Sequence, residues 1–218
     1  MSSRGRCYIC SRVLNKASMT RHLRSHLKND GETRIFHLRI DASQPEYWLH
    51  IEIESDAKLR DLDRFLRDVW LECCGHLSAF EIDGVIYYSD GFDFSLNRGA
   101  RDMDVSLGEV LSPEMKFHYT YDFGSPTDLT LRVLGVRMGK IHSKVRIIAR
   151  NEPPDLKCRC GKNAVWVCAV CRDGEDWQSC YLCDDCAGDH ECGRGALLPV
   201  SNSPRCGVCG YTCNNPQR

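Results

Sequence analysis

The stretch Trp48-Leu49-His50-Ile51-Glu52-Ile53 alternates, with apolar side chains at Leu49, Ile51 and Ile53. The next stretch, Asp56-Ala57-Lys58-Leu59-Arg60-Asp61-Leu62-Asp63-Arg64-Phe65-Leu66-Arg67-Asp68-Val69, changes period: Leu59, Leu62, Phe65, Leu66 and Val69 recur every three or four residues. Period two is a half-buried strand and period 3.6 an amphipathic helix, here with Asp56 available as its cap. The same rules work outward. Arg34 to Ile40 alternates around Phe36, Leu38 and Ile40, and Asp83-Gly84 between two apolar runs is a two-residue hairpin turn. A short helix fits Asp104 to Leu111, stopped by Pro113. Phe117, Tyr119 and Tyr121, then Leu129, Leu131 and Val133, then Val145, Ile147 and Ala149 add further alternating strands. The expected class is α+β: a mostly antiparallel sheet with helices on one face.

Outside this segment the composition changes. Residues 1–28 carry seven Lys or Arg and no acidic residue, residues 31–150 carry fifteen basic against twenty acidic, and residues 151–218 seven against nine. The overall balance of −1 therefore hides a basic N-terminus, the one segment suited to an anionic partner such as nucleic acid. The fifteen cysteines are equally uneven, with Cys7 and Cys10 at the start, Cys73 and Cys74 in the middle, and eleven between Cys158 and Cys213. An odd count in Cys-x-x-Cys pairs with histidines nearby and no leading apolar segment points to metal in a reducing, cytoplasmic setting. No apolar run approaches the ~18 residues of a membrane span. The expected divisions are 1–30, 33–150 and 155–218, with Asn29-Asp30-Gly31 and Asn151-Glu152-Pro153-Pro154 as boundaries.

Cys7-x2-Cys10-x11-His22-x3-His26 has the order and spacing of a Cys2His2 zinc finger, one residue shorter in the gap than the usual twelve. Two cysteines on a turn give one edge of a tetrahedron, and two histidines one helical turn apart give the other. Leu14 and Met19 are expected beneath the metal. On the DNA-reading version of the fold, Asn15, Ser18 and Arg21 face bases and Arg12, Arg24 and Lys28 face phosphates, with Lys16 also counted among the nucleic-acid-binding residues. One finger covers only ~3 base pairs, too few for tight specific binding alone.

The tail holds four ligand pairs: Cys158-x-Cys160, Cys168-x2-Cys171, Cys183-x2-Cys186 and His190-x-Cys192. Eight soft ligands suffice for two tetrahedral zinc ions, and few large apolar residues are present to form a core without them. A sequential scheme pairs neighbours. An interleaved scheme joins pair one to three and two to four, and is the one favoured. Cys206, Cys209 and Cys213 could join Cys180 in another site, Cys209 could replace one of the eight, or all four could be free thiols. The adjacent Cys73-Cys74 reads as small-residue packing with no metal role. The expectation is about three structural Zn2+ ions.

Several catalytic readings are set aside. Asp122-Phe123-Gly124 matches a kinase tripeptide, but neither a glycine-rich phosphate loop nor a catalytic-loop motif accompanies it. Asp90, Asp93, Asp102 and Asp104 read as solvated turns. His37, His50, His76, His118 and His142 fall singly, as surface or packed side chains rather than bases.

The segments Gln44-Pro45-Glu46-Tyr47-Trp48, Ala57-Lys58-Leu59-x2-Leu62, His76-Leu77-x2-Phe80-x-Ile82 and Tyr119-Thr120-Tyr121-Asp122-Phe123-Gly124 resemble the plasmid pRi-type open-reading-frame-three family, also described as insertion-element passenger protein-like. The resemblance spans roughly residues 33–150 and implies an α+β domain with a curved sheet, and little chemistry. The tail is similar to cross-braced zinc modules such as the B-box, ZZ and MYND fingers, which implies protein or peptide binding. Together these readings predict a non-catalytic zinc protein that contacts nucleic acid through its basic finger in a regulatory or mobile-element-related role. The alternative is a protein-interaction adaptor built on the zinc modules. No membrane contact and no small-molecule substrate is expected.

Overall fold

A computed structural model describes residues 3–96, 99–172 and 177–213, and divides the chain into two compact units. The first unit comprises residues 1–68 and 76–152; the second comprises 69–75 and 153–218. The three segments expected from sequence thus become two units, because the N-terminal segment shares a sheet with the middle one and a short middle segment belongs with the tail.

In the first unit, the chain runs β1 (Arg4–Cys7), β2 (Val13–Asn15), α1 (Lys16–Arg24), β3 (Thr33–Ala42), β4 (Trp48–Glu54), α2 (Leu59–Leu66), β5 (Ser78–Ile82), β6 (Val85–Tyr88), β7 (Arg101–Asp102), α3 (Leu107–Val110), β8 (Lys116–Tyr121), β9 (Thr127–Gly139) and β10 (Val145–Asn151). The strands form one sheet in the order β2-β1-β10-β4-β3-β9-β8-β5-β6-β7, antiparallel except for β6 beside β7. The protein is thus α+β with few helices. The β5–β6 turn places both Asp83 (φ 47°) and Gly84 (φ 77°) in the left-handed region, as the hairpin geometry requires. α2 begins at Leu59, later than Asp56 alone would suggest, because the Asp61 carboxylate accepts the Lys58 N–H at 3.0 Å. It buries Leu59, Leu62 and Leu66 and continues as a π-helical turn at Arg67–Leu71. The Asp63 carboxylate of α2 accepts bonds from Ser78 Oγ (2.6 Å), Tyr119 Oη (2.7 Å) and Arg67 Nε (2.8 Å), so this buried acid is satisfied from β5, β8 and its own helix.

β4 departs from the alternation read in its sequence. Every residue from Trp48 to Ile53 is buried, so both faces of the strand are covered. His50 and Glu52, fully buried on the face opposite Leu49, Ile51 and Ile53, find polar company. Glu52 pairs with Arg137 and with Arg146, whose Nε donates at 2.7 Å. His37 Nε2 lies 2.9 Å from His50 Nδ1, so these two are a buried pair and not single histidines. On β10 a bulge between Ile147 and Ala149 shifts the register, burying Ile148 and Ala149 in place of the expected Val145-Ile147-Ala149 row.

The finger supplies the cover over Trp48. Cys7, Met19 and Leu23 form one buried cluster with Trp48, Ile148 and Ala149, flanked by Leu14 and Leu27. β1 pairs with β10 from Gly5 opposite Asn151 to Cys7 opposite Ala149. A Cβ at Gly5 would stand 2.4 Å from both the Trp48 ring and the Arg150 carbonyl oxygen, so only glycine permits this crossing. Trp48 Nε1 donates to Ser3 Oγ at 2.7 Å, closing the seat.

Two outcomes are expected. Gly5→Val should cost about 1–3 kcal/mol of stability by overpacking and release the finger from the sheet, read as faster proteolysis within residues 4–28. Burial holds His37 neutral with a pKa of about 4 and depresses His50 as well. The unfolded chain then binds more protons below pH 6.5, so stability falls as pH drops from about 6.5 to about 4. His37 alone should account for about 2 kcal/mol between pH 7 and pH 5. Denaturant titrations of the parent and a His37→Asn/His50→Asn variant at both pH values measure it; a parallel pH dependence would refute the assignment.

Candidate metal centres

Local turns aim the first four ligands inward. Ser11 N donates to the Cys7 carbonyl and Cys7 N to the Arg12 carbonyl, both at 2.8 Å, with Ser11 at φ 62°. This tight loop brings Cys10 back beside Cys7. Asn15 caps α1, its Oδ1 accepting the Ser18 N–H at 2.8 Å, and the helix carries His22 toward the thiols. His26 follows in a tightened last turn, its N–H donating to the Leu23 carbonyl. Cys10 Sγ lies 3.2 Å from His22 Nε2, and His22 Nε2 lies 3.1 Å from His26 Nε2. Metal–sulfur bonds of ~2.3 Å and metal–nitrogen bonds of ~2.05 Å make tetrahedron edges of about 3.3–3.8 Å. The observed separations are a few tenths of an ångström shorter than these edges, and the four ligand atoms are grouped closely enough to surround one four-coordinate cation. Burial, with His26 and Arg12 nearby, lowers the His22 pKa and favours the neutral, ligating ring.

In the second unit, β11 (Trp166–Cys168), α4 (Ala169–Arg172), β12 (Tyr181–Leu182), α5 (Asp184–Gly188) and β13 (Leu197–Pro199) follow in order, and the strands pair as β12-β11-β13. A turn through Gly161 (φ 86°), whose N–H donates to the Cys158 carbonyl, presents Cys158 and Cys160. Cys183 stands at the start of α5 and Cys186 within it. These four ligand atoms lie within 4.8 Å of one another, as do those of Cys168, Cys171, His190 and Cys192. Cys160–Cys183 and Cys171–Cys192 are both 3.6 Å apart, and Cys171–His190 3.5 Å. The structure thus draws the interleaved arrangement: β11 carries the chain from the first quartet to the second.

The thiols of each quartet are electrostatically opposed. Burial resists ionisation of Cys158, but N–H groups of Cys160 and Cys183 and the adjoining thiols bring it down to about 6. Cys186, bonded to Cys158, Cys183 and Cys160, is pushed up to about 12. In the second quartet, burial also opposes Cys168, yet donors from Cys171 and His190 lower it to about 7, while burial and the thiols of Cys192 and Cys168 push Cys171 up to about 12. One negative charge is welcome and a second is repelled, and a divalent cation removes that opposition. All fifteen cysteines are free of disulfides.

The remaining cysteines separate sharply. Cys180 and Cys206 are buried with Val167 and Leu182, and Cys206 Sγ accepts the Ser201 N–H at 3.3 Å; among the described residues they join no ligand group. Cys209 instead lies 3.7 Å from Cys74, whose Sγ is 3.5 Å from Cys73. Cys73 and Cys74, expected to pack with no metal role, thus lie beside a thiol 135 residues further on, a grouping that sequence spacing could not reveal.

Of the residues assigned to a basic surface, Arg12, Asn15, Ser18, Arg21, Arg24 and Lys28 are exposed. Lys16 is engaged elsewhere: its Nζ pairs with Asp41 at 2.8 Å and donates to the Pro45 carbonyl at 3.3 Å, anchoring the finger to the sheet. The Asn15 side chain is committed to its cap. Asp122 is an Asx turn, its Oδ1 accepting Gly124 N at 3.0 Å and Ser125 N at 3.2 Å. Asp104 pairs with Lys58 and Arg60, and Asp93 Oδ1 accepts Ser95 N at 2.9 Å. Among the described residues no helix is long and apolar enough to cross a membrane.

An α+β sheet carrying Cys/His groups on its N-terminal hairpin and in its C-terminal module defines a class of protein able to hold several metal ions. The model of the plasmid pRiA4b ORF-3-like protein family matches residues 33–155, more than half of the chain, and the protein belongs to that family. A crystal structure of a protein of unknown function from Methanosarcina mazei Go1 is similar, with 19% identity and a TM-score of 0.45 over 54% of this chain and 68% of that one. No curated protein matches.

Removing metal should free the finger first. We expect trypsin to cut at Arg21 or Arg24 at least tenfold faster after chelation, with Cys10→Ser showing the same cleavage while the tail keeps its metal. Unchanged protection would show that the hairpin holds without a cation.

Proposed function

We propose that the protein is a non-catalytic zinc protein that contacts nucleic acid through its N-terminal finger. The donor sets are the support for zinc: two cysteines with two histidines, four cysteines, and three cysteines with one histidine are the sets of closed, structural zinc sites with no open position for substrate. The single observation that carries nucleic-acid contact is the basic face of the finger. Arg12, Arg21, Arg24 and Lys28 are exposed, no acidic residue interrupts residues 1–28, and the opposite face is committed to Trp48. Ser18 and Arg21 lie on the exposed side of α1, where base edges would be met, and Lys16 is reassigned from nucleic-acid contact to anchoring. The family match supports a mobile-element-related setting, and the reduced cysteines a cytoplasmic one.

A protein-adaptor reading has one specific support, a concavity in the second unit lined by Trp166, Asp184, Ala187, Arg194 and Leu197. Its mixed aromatic, acidic and basic lining suits a peptide more than a phosphate backbone.

Zinc-loaded protein should bind duplex or single-stranded oligonucleotides with an affinity that falls steeply with salt. Arg21→Ala/Arg24→Ala should weaken it and reduce the slope of log K against log salt by about 1 per lost contact, whereas Lys16→Ala should act mainly on stability. Salt-independent binding, or none, would sink the nucleic-acid reading and leave the adaptor.

A further inference from the structure

We propose that Cys73, Cys74 and Cys209 form a fourth metal site, a thiolate-rich zinc site that staples the C-terminal tail to the segment 69–75. The proposal rests on the reading of zinc as the resident metal and extends it to a group outside the three motifs. Sequence spacing gave these residues no common motif. The structure brings the three sulfurs together, Cys73 to Cys74 at 3.5 Å and Cys74 to Cys209 at 3.7 Å. These separations fall in the same range as Cys160–Cys183 and Cys171–Cys192 in the two tail quartets, both 3.6 Å. They are also the edges of a sulfur tetrahedron around zinc, about 3.8 Å.

The surroundings are built for a charged centre. Arg205 is fully buried, and its Nη2 donates to Cys73 Sγ at 3.6 Å. A buried guanidinium is costly unless it meets negative charge. Three thiolates around a divalent cation carry a net −1, a charge that the adjacent Arg205 guanidinium favours. Arg205 is itself fixed in place: its backbone N–H donates to Ser203 Oγ at 2.8 Å, and that buried hydroxyl donates to the Trp70 carbonyl at 2.6 Å. Cys209 is held by a turn, with φ 48° at Cys209 and 79° at Gly207. Thus the tail from Ser203 to Cys209 docks on Trp70 to Cys74, within the second unit, by two polar contacts and the sulfur cluster.

Bound zinc would do here what a core cannot. The segment 199–213 contains little apolar surface, and a metal cross-link joining residues 135 apart in sequence removes much of the freedom of the unfolded chain. The site is thereby a fold-closing device, distinct from the cross-brace that organises residues 158–192.

Elemental analysis of the full-length, zinc-loaded protein under reducing conditions tests it. The parent should hold four ions per chain. Cys209→Ser and Cys73→Ser should each hold three, Cys7→Ser should hold three, and Cys7→Ser/Cys209→Ser two. Cobalt-loaded Cys7→Ser should lose about a third of its thiolate-to-cobalt absorption when Cys209→Ser is added. A parent with three ions and an unchanged count in Cys209→Ser would overturn the fourth site while leaving the other three standing. A parent with no metal would overturn the zinc reading as a whole. A mass two hydrogens lower under native, reductant-free conditions, mapped to Cys74–Cys209, would replace the metal by a disulfide. A variant that fails to fold is decided by the cobalt spectrum of the parent titrated to completion, where a fourth equivalent must still add thiolate absorption.

Discussion

The seat of the finger on Trp48 is the constraint on which the first unit depends. A hairpin and helix of about 25 residues cannot bury enough surface to fold alone without a metal tying its ligands. Here its inner residues, Met19 and Leu23, share their cluster with Trp48, Ile148 and Ala149. The seat needs a strand that crosses the indole without a side chain, which Gly5 supplies, and a lysine turned inward to Asp41, which Lys16 supplies. From the side of the sheet, the same contact buries the second face of β4. That face then carries His50 and Glu52, whose burial is tolerable because a second imidazole and two arginines meet them.

This arrangement sets what each face of the finger can do. With one side committed to the sheet, the exposed arginines of α1 are presented from a fixed base rather than from a hinged tail. Preorganisation of that kind lowers the entropy lost on binding. It also limits the approach of a partner to the one open face. The tail is held together differently. Its apolar cluster is small, with cysteines among its main members, and the sheet β12-β11-β13 is short. Two Cys/His quartets able to hold metal ions flank this small cluster.

Much of the fold is legible in the sequence because hydrophobic period reports burial on one side of an element. Leu59, Leu62 and Leu66 are buried as their spacing requires, and Asp83-Gly84 turns as its φ preference requires. The reading failed where a second layer intervened. Trp48, His50 and Glu52 look solvent-facing in an alternating strand, and only the arrival of α1 and the arginines makes them interior. The Val145-Ile147-Ala149 row failed for a local reason, a bulge that alternation cannot encode. The grouping of Cys7, Cys10, His22 and His26 and of the four tail pairs was legible because metal coordination favours fixed short spacings.

The sequence by itself determined the α+β class, the family and the Cys/His spacings at both ends of the chain, since each is written in periods or spacings of a few residues. The tertiary structure alone decided which Cys/His pairs come together, that the N-terminal hairpin extends the sheet, that Lys16 pairs with Asp41, and that Cys73 and Cys74 meet Cys209. These are long-range juxtapositions. No local preference specifies them; they follow from which surfaces the folded chain must cover and which charges it must balance.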